Sequence, residues 1–312
     1  MNAYLIDARR TAIGRAHPDK GAFRGIRADE LLAELIKDVV ARALAPASQL
    51  VIDDVYVGCV GQHMEQGKNI ARLASLLAGL PPTVPGVTIN RLCASSLQAL
   101  NFAAAALHSG QAEVLLAGGV EHMHHVPMAA ALDYHQGLLA RYEFPFTQMG
   151  LTAEKVAEIY GVSRTEQDEF AVCSHQKAVQ AQKSGHFERE ILPVRLVDRD
   201  QGPRPDTNLE TLAQMKTVFK ENGTVTVGNS SPLSDGASLT LLAEASACVK
   251  YGLKKRAQIV GSAVVGLDPC LMGMGPVPAI RKLLARVHMA VDDIDSFEIN
   301  EAFASQAVAC VR

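Results

Sequence analysis

Apolar positions in the first part of the chain recur alternately at helical and at strand spacing. Residues 28–45 carry Leu31, Leu32, Leu35, Ile36, Val39, Val40 and Ala43 with charges between them, the stripe of an amphipathic helix. Asp29 and Glu30 suit the positive end of that helix, and Pro46 follows its end. Residues 52–60 are rich in β-branched and aromatic side chains and read as a strand. A helix is predicted over 66–79 and is broken by Pro81, Pro82 and Pro85. A short strand over 84–89, a helix over 95–108 and a buried strand over 114–119, ending in glycines, follow. Alternating strand and helix implies an α/β fold with largely covered sheets.

From about residue 121 to 224 the pattern changes. Histidines, prolines and charges cluster, with helical stretches over 152–160 and 163–183, which reads as an inserted, mostly helical region. The α/β pattern then resumes with a weak internal repeat. Asp53-Asp54-Val55 follows one amphipathic helix, and Asp292-Asp293-Ile294 follows another over 277–288. A strand stands before each helix, over 4–7 and over 258–265. The expected division is a core repeat over 1–120, an inserted loop domain over 121–224, and the start of a second core repeat over 225–312. By this symmetry the second repeat is incomplete at Arg312.

Composition narrows the class. With 48% hydrophobic and 20% charged residues, the chain has the make-up of a soluble globular protein with a large core. A net charge of −3 gives no global field to attract nucleic acid or an anionic membrane. The six cysteines are scattered singly, with no Cys-x-x-Cys pair to suggest a zinc site or a redox dithiol. Most stand in apolar or Ala-rich surroundings, where a free thiol behaves as a small buried hydrophobe in a reducing compartment. No signal peptide or presequence is legible at the start, and no apolar run reaches the ~18–20 residues of a membrane span. A cytoplasmic protein is expected.

Cys93 stands between a strand and an Ala-rich helix, in Asn90-Arg91-Leu92-Cys93-Ala94-Ser95-Ser96-Leu97-Gln98-Ala99. A thiol there meets the free N–H groups and positive end of a helix, which favour thiolate, and a backbone N–H can hold a developing oxyanion. By position alone, a buried core cysteine is the commoner reading.

The chain resembles the thiolases over essentially its whole length. Arg10-Thr11-Ala12-Ile13-Gly14-Arg15 opens the resemblance, and the segment around Cys93 is similar to the thiolase nucleophile signature. Gly118-Gly119-Val120-Glu121-His122-Met123, Met149-Gly150-Leu151-Thr152-Ala153-Glu154, and Val225-Thr226-Val227-Gly228-Asn229-Ser230-Ser231 with Ser234-Asp235-Gly236-Ala237 follow in the family's order. Gly273-Met274-Gly275-Pro276-Val277-Pro278 and Asn300-Glu301-Ala302-Phe303 complete the set. Within the family, the Arg-Leu-Cys-Ala-Ser-Ser signature, Gly21-Ala22-Phe23-Arg24 and residues 121–128 look most like the bacterial thiolase subunit of fatty-acid oxidation complexes.

The resemblance implies duplicated five-stranded mixed-sheet layers (αβαβα) with a helical loop-domain insertion. It also implies cleavage of a 3-oxoacyl-CoA by coenzyme A through an acyl thioester on Cys93. Asn300 then orients a water serving one oxyanion hole, and the Cys93 N–H serves the other. A turn or cap residue is the plain alternative for Asn300. Arg204 corresponds to an arginine packed on adenine, against the plain reading of a solvated loop arginine. Ser231 and the Gly228 turn contact the pantetheine arm, Phe219 and Phe303 wall it, and Met149 lines the acyl pocket. Gln148 departs from the pattern, since some thiolases carry histidine there.

His122, His124, His125 and His135 invite a metal reading, which structural histidines outweigh; Ala16-His17-Pro18 only superficially resembles the family's Gly-His-Pro. In the family, an activating Gly-His-Pro histidine and a second cysteine in Cys-x-Gly lie beyond Asn-Glu-Ala-Phe; neither motif occurs here, which implies a chain inactive alone. The resemblance further implies coenzyme A as co-substrate, no permanently bound cofactor, a homodimer, and docking to a subunit with hydratase and dehydrogenase activities. A biosynthetic acetoacetyl-CoA thiolase and a non-catalytic CoA-binding or assembly protein remain the alternatives. A decarboxylating ketoacyl synthase fits Asn-Glu-Ala-Phe poorly.

Overall fold

The computed structural model describes residues 2–44, 50–130, 132–142 and 144–312. Its strands are β1 (Ala3–Thr11), β2 (Gly14–Arg15), β3 (Asp54–Gly58), β4 (Val87–Ile89), β5 (Val114–His122), β6 (Ile191–Leu192), β7 (Ser234–Glu244) and β8 (Ala257–Gln258). The first helices are α1 (Ala28–Leu44), α2 (Ile70–Leu77) and α3 (Ser95–His108). Then come α4 (Gln136–Arg141), α5 (Met149–Tyr160), α6 (Arg164–Lys183) and α7 (Leu209–Ala213). The last are α8 (Ala245–Lys250), α9 (Pro276–Val287) and α10 (Ala304–Val311). Ala45 and Pro46, expected to end and follow α1, lie outside the described residues.

The chain forms two compact units. The first comprises residues 1–132, 185–202 and 233–260 and holds a mixed eight-stranded sheet. Its main path runs β4-β3-β5-β7-β1-β6, with β2 on β7 and β8 on β1. β3 is parallel to β4 and β5, whereas β7 runs antiparallel to both β5 and β1.

Side chains alternate across this sheet as the pleat requires. On β5, Val114, Leu116 and Val120 join a core with Leu31, Leu32, Leu35, Ile36 and Val39 of α1. Leu115 and Ala117 face the other way, onto Ala103, Ala104 and Leu107 of α3. A strand covered on both faces reads as the continuous apolar run seen over 114–120. The central strand β7 is the element that local patterning does not announce, because its place depends on partners more than a hundred residues away in sequence.

The second unit comprises residues 133–184, 203–232 and 261–312 and is mostly helical. α6 starts with a capping box in which Ser163 receives the Glu166 N–H and Glu166 answers the Ser163 N–H. α5 stops at Gly161, whose φ of 62° suits only a residue free to turn left-handed. Ala157, Val156 and Val162 form a small core with Met274 and Ala309.

One expected element is corrected. The strand read over 258–265 is reduced to Ala257–Gln258, which pairs with β1, and no strand follows it among the described residues. A β-strand persists only where a neighbour takes up its N–H and C=O groups; the Ile259 N–H still donates to the Ala3 carbonyl at 2.9 Å, and among the described residues no ladder continues past it.

Candidate active site

In the first unit, the site begins with the approach of α3 to the ends of β3 and β5. A Cβ on Gly58 would lie 2.3 Å from both Ser95 C and Ser96 N, and one on Gly119 would lie 2.6 Å from Ser96 Cβ. Only glycine at these strand ends lets the start of α3 sit directly on the sheet. The residues just before α3 therefore stand at the carboxyl ends of parallel strands, where ligands of α/β sheets bind.

The turn carrying Cys93 is held by its own polar atoms. Leu92 has φ of 49°, a left-handed value that costs a side-chain-bearing residue ~1–2 kcal/mol. Its N–H donates to Asn90 Oδ1 at 2.9 Å, and the Asn90 amide donates to the Val60 carbonyl at 3.2 Å. The Arg91 N–H donates to Ser95 Oγ at 2.8 Å, and that hydroxyl donates to the Leu92 carbonyl at 2.6 Å. No side chain caps α3. Cys93 is exposed, so the commoner expectation of a buried core thiol is overturned: the strained turn ahead of the helix carries it outward. Cys173 is also exposed, whereas Cys59, Cys248 and Cys270 are buried. Burial, then the nearby Glu121 carboxylate, push the Cys59 thiol up to about 12, which leaves it inert.

The histidines after β5 belong to a polar cluster in the same unit. His122 is fully buried, with Nε2 3.1 Å from the Phe23 carbonyl and Nδ1 accepting the His125 N–H at 3.2 Å. Burial lowers its pKa, more than the Asp235 carboxylate 3.4 Å away raises it. His125 stacks on it at 3.8 Å between ring centroids. The His125 Nδ1 lies 3.0 Å from Glu65 Oε1 and its Nε2 lies 2.8 Å from the Arg24 carbonyl. Burial opposes charge there, but the Arg24 carbonyl and Glu65 together raise the pKa. The His124 N–H donates to Asp235 Oδ1. Among the described residues, no group of three or more His, Cys, Asp or Glu is arranged to hold a metal ion.

The other expected site residues fall in the second unit. Met149 opens α5, and a Cβ on Gly150 would lie 2.1 Å from the Phe219 ring, so Phe219 lies flat against that helix start. Phe219 meets Phe303 edge-on at 6.0 Å. Ser230 bridges Phe303, the Ser231 N–H donates to the Ala302 carbonyl at 2.9 Å, and the Ala304 N–H donates to Asn229. Ser231, Phe219 and Phe303 are thus brought to one place. Gly228 is buried against Leu212 and Met215. Asn300 is exposed and caps no helix, since Phe303 occupies the start of α10. α6 contacts both remaining pieces: Ser174 Oγ donates to Glu301 Oε2 at 2.6 Å, and His175 Nδ1 accepts the Arg204 N–H at 3.1 Å. Burial first, then Arg204, lower the His175 pKa, so the neutral ring is the acceptor this bond requires.

Sequence reading missed the residues that hold the 224–231 segment. Buried Glu154 accepts the Thr224 and Val225 N–H groups and the Thr224 hydroxyl, all within 2.8–2.9 Å. Buried Asp168 receives Arg164 at 2.8 Å and the Asn229 amide at 3.0 Å. Asn229 Oδ1 takes the Thr226 N–H at 2.8 Å, and Thr226 Oγ1 takes the Gly228 N–H at 3.1 Å. Glu166 and Asp168 look alike in sequence, and nothing in the periodicity of α6 distinguishes the half-buried Glu166 from the buried Asp168. Exposed Lys216 precedes Thr217, which bridges Thr226, so it is a cation on the same hairpin as Phe219.

The first unit is thus an α/β sheet that carries an exposed cysteine on a left-handed turn before a helix. Residues 3–246 match the thiolase N-terminal domain and residues 253–312 the thiolase C-terminal domain. The chain belongs to the thiolase family, whose members are acyltransferases. It is 49% identical over 323 aligned positions to the 3-ketoacyl-CoA thiolase of Serratia proteamaculans, covering 100% of this chain and 82% of that protein. It is 46% identical to the 3-ketoacyl-CoA thiolase of Vibrio parahaemolyticus, covering 100% of this chain and 81% of that one. A crystal structure of the Bacillus anthracis acetyl-CoA acetyltransferase superposes with a TM-score of 0.87 at 37% identity, over 99% of this chain and 82% of that chain.

Proposed function

We propose that this chain carries the acyl-accepting cysteine of a 3-ketoacyl-CoA thiolase of fatty-acid β-oxidation. The Cys93 thiolate adds to the ketone carbon of a 3-oxoacyl-CoA. The bond between that carbon and the α-carbon breaks, its electron pair leaves as the enolate of acetyl-CoA, and the acyl group stays on sulfur as a thioester. The enolate takes up a proton at its α-carbon to become acetyl-CoA. The thiol of a second coenzyme A gives up its proton as its sulfur adds to the thioester on Cys93 and displaces the Cys93 thiolate, giving an acyl-CoA two carbons shorter. Coenzyme A is a co-substrate, and no permanently bound group is needed. Charge builds on oxygen in both steps, and the Cys93 N–H and a water held by Asn300 are the proposed donors.

The observation that carries this reading is the exposed Cys93 on a left-handed turn at the start of α3. In the second unit, Ser231 and Gly228 would meet pantetheine, with Phe219 and Phe303 forming a wall beside it and Met149 at the acyl end. Arg204 would pack on adenine, and Lys216 is a second candidate for the anionic end of the ligand. The division into core, inserted loop domain and second core over 1–120, 121–224 and 225–312 belongs to the same reading.

A cytoplasmic homodimer, docked to a hydratase and dehydrogenase subunit, completes the proposal. Among the described residues, edge strand β4 has its outer side unpaired, and exposed Val87, Leu73, Leu76, Leu77, Leu97 and Phe102 stand on β4, α2 and α3. No described helix is long and apolar enough to cross a membrane.

The test is mass spectrometry of the chain after exposure to acetoacetyl-CoA and to longer 3-oxoacyl-CoA. An acyl adduct on Cys93, absent in Cys93→Ala, is expected without turnover at normal thiolase rates, since the family's Gly-His-Pro histidine and second cysteine are not among these 312 residues. Coenzyme A binding with no adduct at any chain length would replace the enzyme reading with a CoA-binding protein. Adduct formation with acetoacetyl-CoA alone would favour a short-chain enzyme.

A further inference from the structure

Glu121 takes no part in the chemistry above, yet its carboxylate occupies the junction between two strand ends. At the end of β5 it reaches across to the end of β3. Oε2 accepts the Val60 N–H at 2.8 Å, and Oε1 accepts the Gly61 N–H at 3.0 Å and the Gln66 amide at 2.9 Å. Gln66 is fully buried and is itself fixed, donating to the Gly61 carbonyl at 2.8 Å and accepting the His122 N–H at 2.6 Å. A Cβ on Gly61 would lie 2.9 Å from Glu121 Oε1, so glycine is what admits the carboxylate this close.

The 59–61 segment held in this way holds the nucleophile turn in its turn. The Cys59 N–H donates to the Ile89 carbonyl at 3.0 Å, and the Val60 carbonyl accepts the Asn90 amide at 3.2 Å. Asn90 Oδ1 then fixes the N–H of the left-handed Leu92, one residue before Cys93. Resting on the reading of Cys93 as the nucleophile, we infer that Glu121 is a positioning residue: it braces the 59–61 segment against which Asn90 sets the Cys93 turn.

The carboxylate has no neutral substitute there. Both of its oxygens face N–H donors, and an amide would turn its own NH₂ toward one of them. Without the brace, the Val60 carbonyl no longer fixes Asn90, and Leu92 can relax out of its left-handed conformation. A nucleophile moved by as little as 1 Å can lose ~10²-fold in rate.

The experiment compares iodoacetamide alkylation of Cys93 and of exposed Cys173 within the same 312-residue chain, read by mass spectrometry. Glu121→Gln should lower the Cys93 rate relative to Cys173 by about tenfold or more. Asn90→Ala, on an exposed turn residue, should give a loss of the same kind even if the Glu121 variant folds poorly. The double variant should lose no more than the worse single one, because both cut the same path. With acetoacetyl-CoA, Glu121→Gln should slow acylation at an unchanged half-saturating concentration. An unchanged Cys93-to-Cys173 ratio, fully multiplicative losses, or a change in half-saturating concentration alone would overturn the inference. If the wild-type chain is alkylated but never acylated at Cys93, the acyltransferase reading fails, and the alkylation comparison still decides the role of Glu121.

Discussion

The Cys93 turn in the first unit and the 224–231 segment in the second are both irregular backbone, and they are held by opposite means. The turn is placed first by missing side chains, since Gly58 and Gly119 let α3 close onto the sheet, and polar side chains then fix it there. The 224–231 segment rests on long side chains, since buried Glu154 and Asp168 reach out from α5 and α6 to satisfy its N–H groups and Asn229. Close packing of backbone leaves a local signature of small residues in sequence. Reach by a carboxylate leaves none, because any acidic residue on a helix looks the same until its neighbours are known. The two supports should therefore fail differently.

The largest effect is expected at Gly58. Gly58→Ala would drive a Cβ to 2.3 Å from the backbone of Ser95 and Ser96, and should destabilise the first unit by about 3 kcal/mol or more, measured by urea denaturation. A loss within about 0.5 kcal/mol would remove close approach as the support of the turn.

Next comes Asp168→Ala, which removes the carboxylate shared by Arg164 and the Asn229 amide and leaves each only backbone carbonyls as acceptors. It should cost about 2–4 kcal/mol in the same measurement and weaken coenzyme A binding, while leaving Cys93 alkylation unchanged. A fall in alkylation would show that the two supports are not separate.

Smaller effects sharpen the ligand side. Arg204→Ala and Lys216→Ala should each reduce coenzyme A affinity about threefold to tenfold by calorimetry. Whichever loses more marks the residue that meets the nucleotide end.

The mildest prediction concerns pH in the histidine cluster. His122 has a lowered pKa, so its stabilising contribution is present above ~6.5 and is lost as pH falls through the folded value. His125 has a raised pKa, so its contribution is present below ~6.5 and is lost as pH rises through the folded value. Thermal unfolding of the first unit should therefore weaken on both sides of the histidine range. Glu65→Gln, which removes the carboxylate partner of His125 and leaves the Arg24 carbonyl, should shrink the decline on the alkaline side. An undiminished decline there would assign it to another group.

Much of the fold was legible beforehand. α3 over 95–108 matches its apolar and Ala-rich run, and α6 begins after the Ser163 cap that its capping box announces. β7 was not legible as a strand, since its ladder joins Val114–His122 and Ala3–Arg10 to residues 235–244. The Cys93 turn could be placed before α3 from its residues in order, but the exposure of Cys93 could not, because it depends on the left-handed Leu92 and on what Asn90 grips.

By itself the sequence determined what depends on near neighbours and on residue order: the periodic helices, the apolar β5, the glycines at strand ends and the family the motifs spell. Tertiary structure alone decided which acids are buried, which cysteine faces outward and which loops meet. Those outcomes turn on hydrogen-bond partners and close contacts across long separations. Residues such as Glu121 and Asp168 acquire a partner only once the strand ends and helices have packed.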